Sequence, residues 1–275
     1  MYKKNWKYTY FCVYLLYGDI RMTKPLNELT VVQANDFIQQ TNWAMDKVPL
    51  KLFKALVASI DTSNPPKDNT VRILKQELVK LLDTPATNYT YLKRRLKQLI
   101  TAVMVEDTDL HEVYVALVSK ITWEKDSDEV SVKFDEAVMP YLIGLKSRFL
   151  QYPAANINQF KSKYGLILYE YLLSKERQYN FGTYGMTIDE IRKLTGTEKV
   201  YTDFRNFDQK VLQAAMEDIN RAGVEILVKY EKVKRGRKIT HINFYVRARN
   251  SYQDTEFDVI HVRPDQIKEY MKREK

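Results

Sequence analysis

The chain has 275 residues, with 44 Lys and Arg against 35 Asp and Glu, a formal net charge of +9, 45% hydrophobic and 12% aromatic residues. That composition excludes a disordered or fibrous polypeptide, and the length suggests two domains whose cores need no covalent staples. A single cysteine, Cys12, excludes a disulfide framework and a thiolate zinc site and fits a reducing cytoplasm.

The three histidines, His111, His241 and His261, stand in no paired spacing, so no metal site is expected. None of the eight glycines precedes a lysine, which excludes a P-loop, and neither a G-x-S-x-G elbow nor an H-E-x-x-H helix can be written. The expectation is a protein without catalytic residues or cofactor.

Residues 1–21 place Lys3, Lys4 and Lys7 before the apolar run Tyr10 to Tyr17, which is too short for a membrane span and lacks a small-residue cleavage site. They are expected to form an upstream extension without membrane contact, ahead of a first domain over 22–150. In that domain a short strand is expected at Leu29 to Gln33, then a helix over Leu50 to Ile60 with apolar positions 52, 53, 56, 57 and 60 on one face. After the loop at Ser63 to Asn69, helical spacing returns over Val71 to Leu82, and a third helix runs from about Thr90 to Ile100. Three strands follow, at Ala102 to Val105, Val113 to Val118 and Val130 to Phe134, separated by acidic turns at 106–109 and 124–129. A short helix over Tyr141 to Phe149, bracketed by Pro140 and Pro153, is read as the connection to a second domain over 151–250, with 251–275 as a tail.

The second domain repeats the order: a helix from Phe160 to Lys175, a capped helix from Thr187 ended by Gly196, and a long helix from Thr202 to Ala222 ended by Gly223. Val224 to Val228 and Thr240 to Val246 read as strands flanking Lys232-Val233-Lys234-Arg235-Gly236-Arg237-Lys238, a basic hairpin tip. Matching Tyr89-Thr90 to Tyr201-Thr202 aligns the two halves at an offset of 112 residues, placing Val79 on Ile191, Leu92 on Phe204, Leu99 on Val211 and Ile100 on Leu212. Three helices followed by a hairpin make the winged form of the helix-turn-helix, so the expected fold is α+β with two winged-helix domains in tandem.

Charge separates the halves. Residues 22–150 carry 17 basic and 17 acidic side chains, whereas 151–250 carry 18 and 11, so a polyanion partner is expected at the second domain. On its long helix, Phe204, Phe207, Val211, Ala214, Ala215, Met216 and Ile219 make a buried stripe, which leaves Arg205, Asn206, Gln209, Lys210 and Gln213 outside. These are the side-chain types that pair with guanine and adenine edges. Lys232, Lys234, Arg235, Arg237 and Lys238 would meet phosphates from the hairpin. Thr202 is the expected N-cap. The equivalent helix of the first domain presents Lys93, Arg94, Arg95 and Lys97 but neither Asn nor Gln. That domain is therefore expected to position the protein on duplex DNA while the second specifies. Its acidic turns suggest a sheet turned away from DNA, toward a second subunit.

Three stretches carry a resemblance: Val31-Val32-Gln33-Ala34-Asn35, the run from Phe160 to Leu172, and Phe204 to Asn220 followed by Lys234-Arg235-Gly236-Arg237-Lys238. Over roughly residues 28–249 the sequence resembles the iteron-binding replication initiators of theta-replicating plasmids, the RepB-type family with two winged helices. The resemblance implies a cytoplasmic protein whose monomers bind direct repeats at an origin, help open adjacent A·T-rich duplex and load the host initiator and helicase machinery. It also implies dimers that repress their own gene on an inverted repeat, with the first domain carrying the dimer surface. Lys161 and Lys163 join the DNA contacts by the same analogy, although Leu166-Ile167-Leu168 lacks an arginine that the analogy expects there. The residues alone leave open a winged-helix transcriptional repressor without initiator activity. A rolling-circle nickase would need a histidine pair beside a tyrosine, which the sequence lacks.

Overall fold

The computed structural model describes residues 25–82, 88–107 and 112–249, the side chains of 103–107 and 112 excepted. The 1–21 extension and the 251–275 tail therefore lie outside the described residues, as do the side chains of the 106–109 turn. Strand β1 (Thr30–Ala34) leads into helix α1 (Asn35–Gln40) and then α2 (Lys47–Ala58), which is buried almost throughout. Leu50, Leu52, Phe53, Leu56 and Val57 of α2 enter one contiguous core with Phe37 and Trp43, whose rings meet edge to face at 5.6 Å.

The expected helix over Val71 to Leu82 is instead strand β2 (Thr70–Leu74) followed by a short helix α3 (Lys75–Val79). Val71 and Ile73 are buried with Arg72 exposed between them, a period-2 pattern, and β2 pairs antiparallel with β6 (Glu129–Phe134). Helix α4 (Tyr89–Lys97), capped by Asn88, is followed by the hairpin β3 (Val103–Asp107) and β4 (Glu112–Ala116), and by β5 (Val118–Trp123), which joins β6. The expected strand Val113 to Val118 is thus two strands bent apart at Leu117, each paired to a different partner.

The expected helix over Tyr141 to Phe149 is a second correction. Only Met139–Tyr141 makes a 3₁₀ turn, positive φ at Gly144 and Arg148 breaks the path, and β7 (Phe149–Pro153) pairs with β1. Strand β7 thus carries the pairing with β1 to Pro153, past the expected boundary at 150. Then come α5 (Asn156–Gln159), α6 (Lys163–Tyr179), β8 (Thr183–Thr187), α7 (Ile188–Thr195), and one continuous helix of three parts. Those parts are α8 (Phe204–Phe207), a π-helical stretch (Asp208–Gln213) and α9 (Ala214–Arg221). The wing is β9 (Ile226–Arg235) and β10 (Lys238–Ala248).

The two three-stranded sheets have the orders β2-β6-β5 and β8-β10-β9. Shifted by 112 residues, β2, α3, β5 and β6 fall on β8, α7, β9 and β10, so the repeat extends to strands the periodicity concealed. It breaks at one place. The first domain ends its third helix at Lys97 and spends the next residues on β3 and β4, where the second continues through α9. Ile100, aligned with buried Leu212, is consequently 43% exposed.

Four elements meet in one buried polar network. Glu170 on α6 accepts from Gln33 Nε2 on β1 at 2.8 Å and from the Tyr152 hydroxyl on β7 at 2.5 Å. Lys54 Nζ on α2 lies 2.8 Å from its other oxygen, donates to Gln33 Oε1 at 2.8 Å, and sits 3.9 Å from the centre of the Trp43 ring. Beside this network the Trp43 amide donates to the Leu194 carbonyl, and Asn42 Nδ2 donates to Glu198 Oε1. Gly196, at φ +62, permits the contact: a Cβ there would stand 2.4 Å from the Ala44 Cα.

Candidate nucleic-acid interface

The turn between α7 and α8 is built from within. Thr187 and Glu190 form a capping box at the start of α7: the Glu190 amide donates to the Thr187 hydroxyl and the Thr187 amide donates to the Glu190 carboxylate. From the same helix the half-buried Arg192 guanidinium donates to the carbonyls of Thr197, Val200, Tyr201 and Thr202 at 2.7 to 3.4 Å, and stacks 4.3 Å from the Phe207 ring. Those carbonyls lie in a loop with no ladder to satisfy them, and Tyr201 holds a positive φ of 51° within it. Asp203, not Thr202, caps the next helix, accepting from the Asn206 amide at 3.0 Å.

From that start the helix buries Phe207, Val211, Leu212, Ala215, Met216 and Ile219, and leaves Arg205, Asn206, Gln209, Lys210 and Gln213 exposed. Phe204 and Ala214 of the expected stripe are half-buried, and Leu212 joins it at helical spacing with Ala215, Met216 and Ile219. Asn220 fastens the far end to the wing: its side chain donates to the Val228 carbonyl and accepts from the Val228 amide, both at 2.8 Å. Asp218 accepts from the amides of Lys161 and Ser162, and Gly165 leaves room for it, since a Cβ would meet Asp218 Oδ2 at 2.5 Å.

The wing turns at Gly236 and Arg237, with Gly236 at φ +64 and Arg237 on the ordinary side, the pattern of a II′ turn. Lys234, Arg235, Arg237 and Lys238 are all exposed around it. An amide- and guanidinium-bearing helix face beside a cationic hairpin can address base edges and phosphates at once.

Comparison with known proteins fits this geometry. Residues 30–173 match the family described as Initiator Replication protein, WH1, and residues 187–246 match Initiator Rep protein, WH2. The chain belongs to the replication initiator family. A replication initiation protein of Escherichia coli is 24% identical to this initiator over 246 residues, 86% of this chain and 73% of the relative. In fold, the initiator is similar to the crystal structure of Pi initiator protein in complex with iteron DNA, with a TM-score of 0.64 and 21% identity over 82% of this chain and 99% of that one.

Several of the expected DNA contacts also have partners within the fold of this initiator. Lys232 Nζ lies 2.7 Å from Asp208 Oδ2, and Gln213 Nε2 donates to that same oxygen at 3.0 Å, while both residues stay exposed. Arg95 is half-buried, bonded to Asp46 and Gln98 and stacked on Tyr91, whereas Lys93, Arg94 and Lys97 beside it are exposed. Lys163 is half-buried, its pKa held below the usual lysine value by burial, against the opposing pull of Asp46 and Glu198; Lys161 is exposed. Arg192, Asp203, Asp208 and Asn220 escape a reading of the sequence, because a charged residue in a helical repeat looks the same whether it faces solvent or holds a neighbouring loop. Among the described residues no three His, Cys, Asp or Glu side chains gather in a metal-binding arrangement, and no helix is long and apolar enough to cross a membrane.

Proposed function

We propose that this initiator binds iteron-type direct repeats of duplex DNA at a plasmid origin. The second domain reads the major groove through Arg205, Asn206, Gln209 and Lys210, and the wing cations hold the flanking backbone. The observation that carries the reading is the exposure of those four residues on a helix whose opposite face is core, beside the hairpin of Lys234, Arg235, Arg237 and Lys238. That the similarly folded Pi initiator is found in complex with iteron DNA supports the reading of a DNA-binding protein. The first domain adds phosphate contacts from Lys93, Arg94 and Lys97 and carries a surface for self-association.

In this reading the protein acts in the bacterial cytoplasm by binding, not by catalysis. Monomers on the repeats strain the adjacent A·T-rich duplex and recruit the host initiator and helicase, and dimers repress the protein's own gene on an inverted repeat. Footprinting on DNA flanking the gene tests it. Regularly spaced protection of direct repeats is the expected result; protection of a single promoter inverted repeat alone would leave a winged-helix repressor, and no protection would remove the DNA reading.

A further inference from the structure

The DNA-facing helix carries an acid where its neighbours are cationic or amide. Asp208 is the first residue of the π-helical stretch and Gln213 the last, and the Asp208 carboxylate connects the two while reaching across to the wing. Oδ1 accepts from the Tyr230 hydroxyl of β9 at 2.6 Å, and Oδ2 takes Lys232 Nζ of β9 at 2.7 Å as well as the Gln213 amide at 3.0 Å. The carboxylate is only 9% exposed, whereas Lys232 is 37% exposed and stands over the Phe204 ring at 5.7 Å, at the base of the wing. One buried acid therefore sets the distance between helix and hairpin, closes the π stretch and neutralises a wing cation.

Stability by itself gives little reason for such a cluster, since desolvating an ion pair costs about what the attraction returns. Its consequence for binding is larger. An unpaired Lys232 at the wing base would attract any phosphate, and sequence-independent attraction of that kind dilutes base discrimination. We propose that Asp208 is a specificity-determining positioning residue: it pins the wing base to the recognition helix and withholds Lys232 from phosphates, keeping non-cognate binding weak while the exposed face reads bases. The proposal rests on the reading that this helix and wing face DNA.

The test uses the full-length protein in salt-dependent anisotropy titrations on the footprinted duplex and on a shuffled duplex of the same composition. Asp208→Asn keeps an acceptor for Tyr230 but frees the Lys232 charge. Its log-log salt slope should steepen by about 0.9 on the shuffled duplex and not on the cognate one, equivalent to about tenfold tighter shuffled-duplex binding near 0.1 M salt, so its cognate preference should drop by a similar factor. Adding Lys232→Met should restore the slope, and Tyr230→Phe, which leaves the charges in place, should not alter it. An Asp208→Asn protein with unchanged slope and preference overturns the proposal. Should that variant fail to fold, Lys232→Met alone decides. A slope reduced by about 0.9 would mean that Lys232 already contacts phosphate and would overturn the proposal, while an unreduced slope supports it. Alanine at Lys234, Arg235, Arg237 and Lys238 is the control for the underlying reading: if it leaves the slope unchanged, the wing assignment fails, whatever Asp208 does.

Discussion

Replacing Lys54 by Met separates the charge of the buried Lys54–Glu170 network from its volume. Lys54 and Glu170 are 0% and 1% exposed and 2.8 Å apart, a separation worth about 6 kcal/mol of attraction at an effective dielectric of 20. Desolvating the two ions costs several kcal/mol each, so the intact pair is close to break-even, whereas removing one partner leaves the other charge buried. In Lys54→Met the Glu170 carboxylate keeps its bonds from Gln33 and Tyr152, which hold it in place without neutralising it. The expected loss is about 3–5 kcal/mol, or roughly 6–20 °C in melting temperature for a chain of this size. Lys54→Met/Glu170→Gln should recover at least about 1 kcal/mol relative to the sum of the single variants, because the pair acts as a unit. Circular-dichroism melts of the four proteins measure the cycle. A single variant melting with the parent, or strictly additive losses, would refute the argument that this charge is buried and coupled to its partner.

Three further outcomes are expected. Arg205→Ala or Gln209→Ala should cost about 1–3 kcal/mol on the cognate duplex and relax preference at individual base pairs in a selection experiment; equal losses on shuffled DNA would make them backbone contacts. Gly196→Ala combines the strain of φ +62 with a Cβ placed 2.4 Å from Ala44, and should destabilise by roughly 2–4 kcal/mol, against about 1 kcal/mol for Gly223→Ala, whose φ is +70 but whose Cβ meets nothing within 4 Å. Equal urea midpoints for the two variants would contradict the interdomain contact. Finally, Tyr152, Tyr169, Tyr184 and Tyr230 have hydroxyl pKa values raised above 10.0, first by burial and then by the carboxylates they donate to. The stability they contribute is fully present below pH 10, where both states hold the proton, and is lost as pH rises further and only the unfolded chain releases it. Lys54, with a pKa lowered by burial from 10.5, acts oppositely, raising stability as pH approaches that value from below and adding nothing above it. Urea midpoints should therefore fall above about pH 10.5, and a flat profile there would mean that the tyrosines titrate freely.

The elements legible from the amino-acid order are those whose information lies within a few residues. The apolar face of α2, the capping box from Thr187 to Glu190, the stop at Gly196 and the II′ turn at Gly236 each follow from neighbours at most a turn away. The 112-residue repeat, the cationic hairpin and the amide-rich helix face were legible for the same reason, and they suffice to identify tandem winged helices directed at a polyanion. Strands β2, β7 and β8 were not legible: Ile73, Leu74 and Leu78 satisfy a helical period as well as a strand, and only pairing with β6 makes Thr70–Leu74 extended. The same holds for charge. Nothing local distinguishes Lys232 from Lys234, yet Lys232 meets an acid 24 positions away. Gln33 and Glu170 meet across 137 positions. Local periodicity and capping determine which helices and turns form, because their energies depend on adjacent residues; which strands pair, and which cations meet an acid, depends on partners that only the folded chain brings within hydrogen-bonding distance.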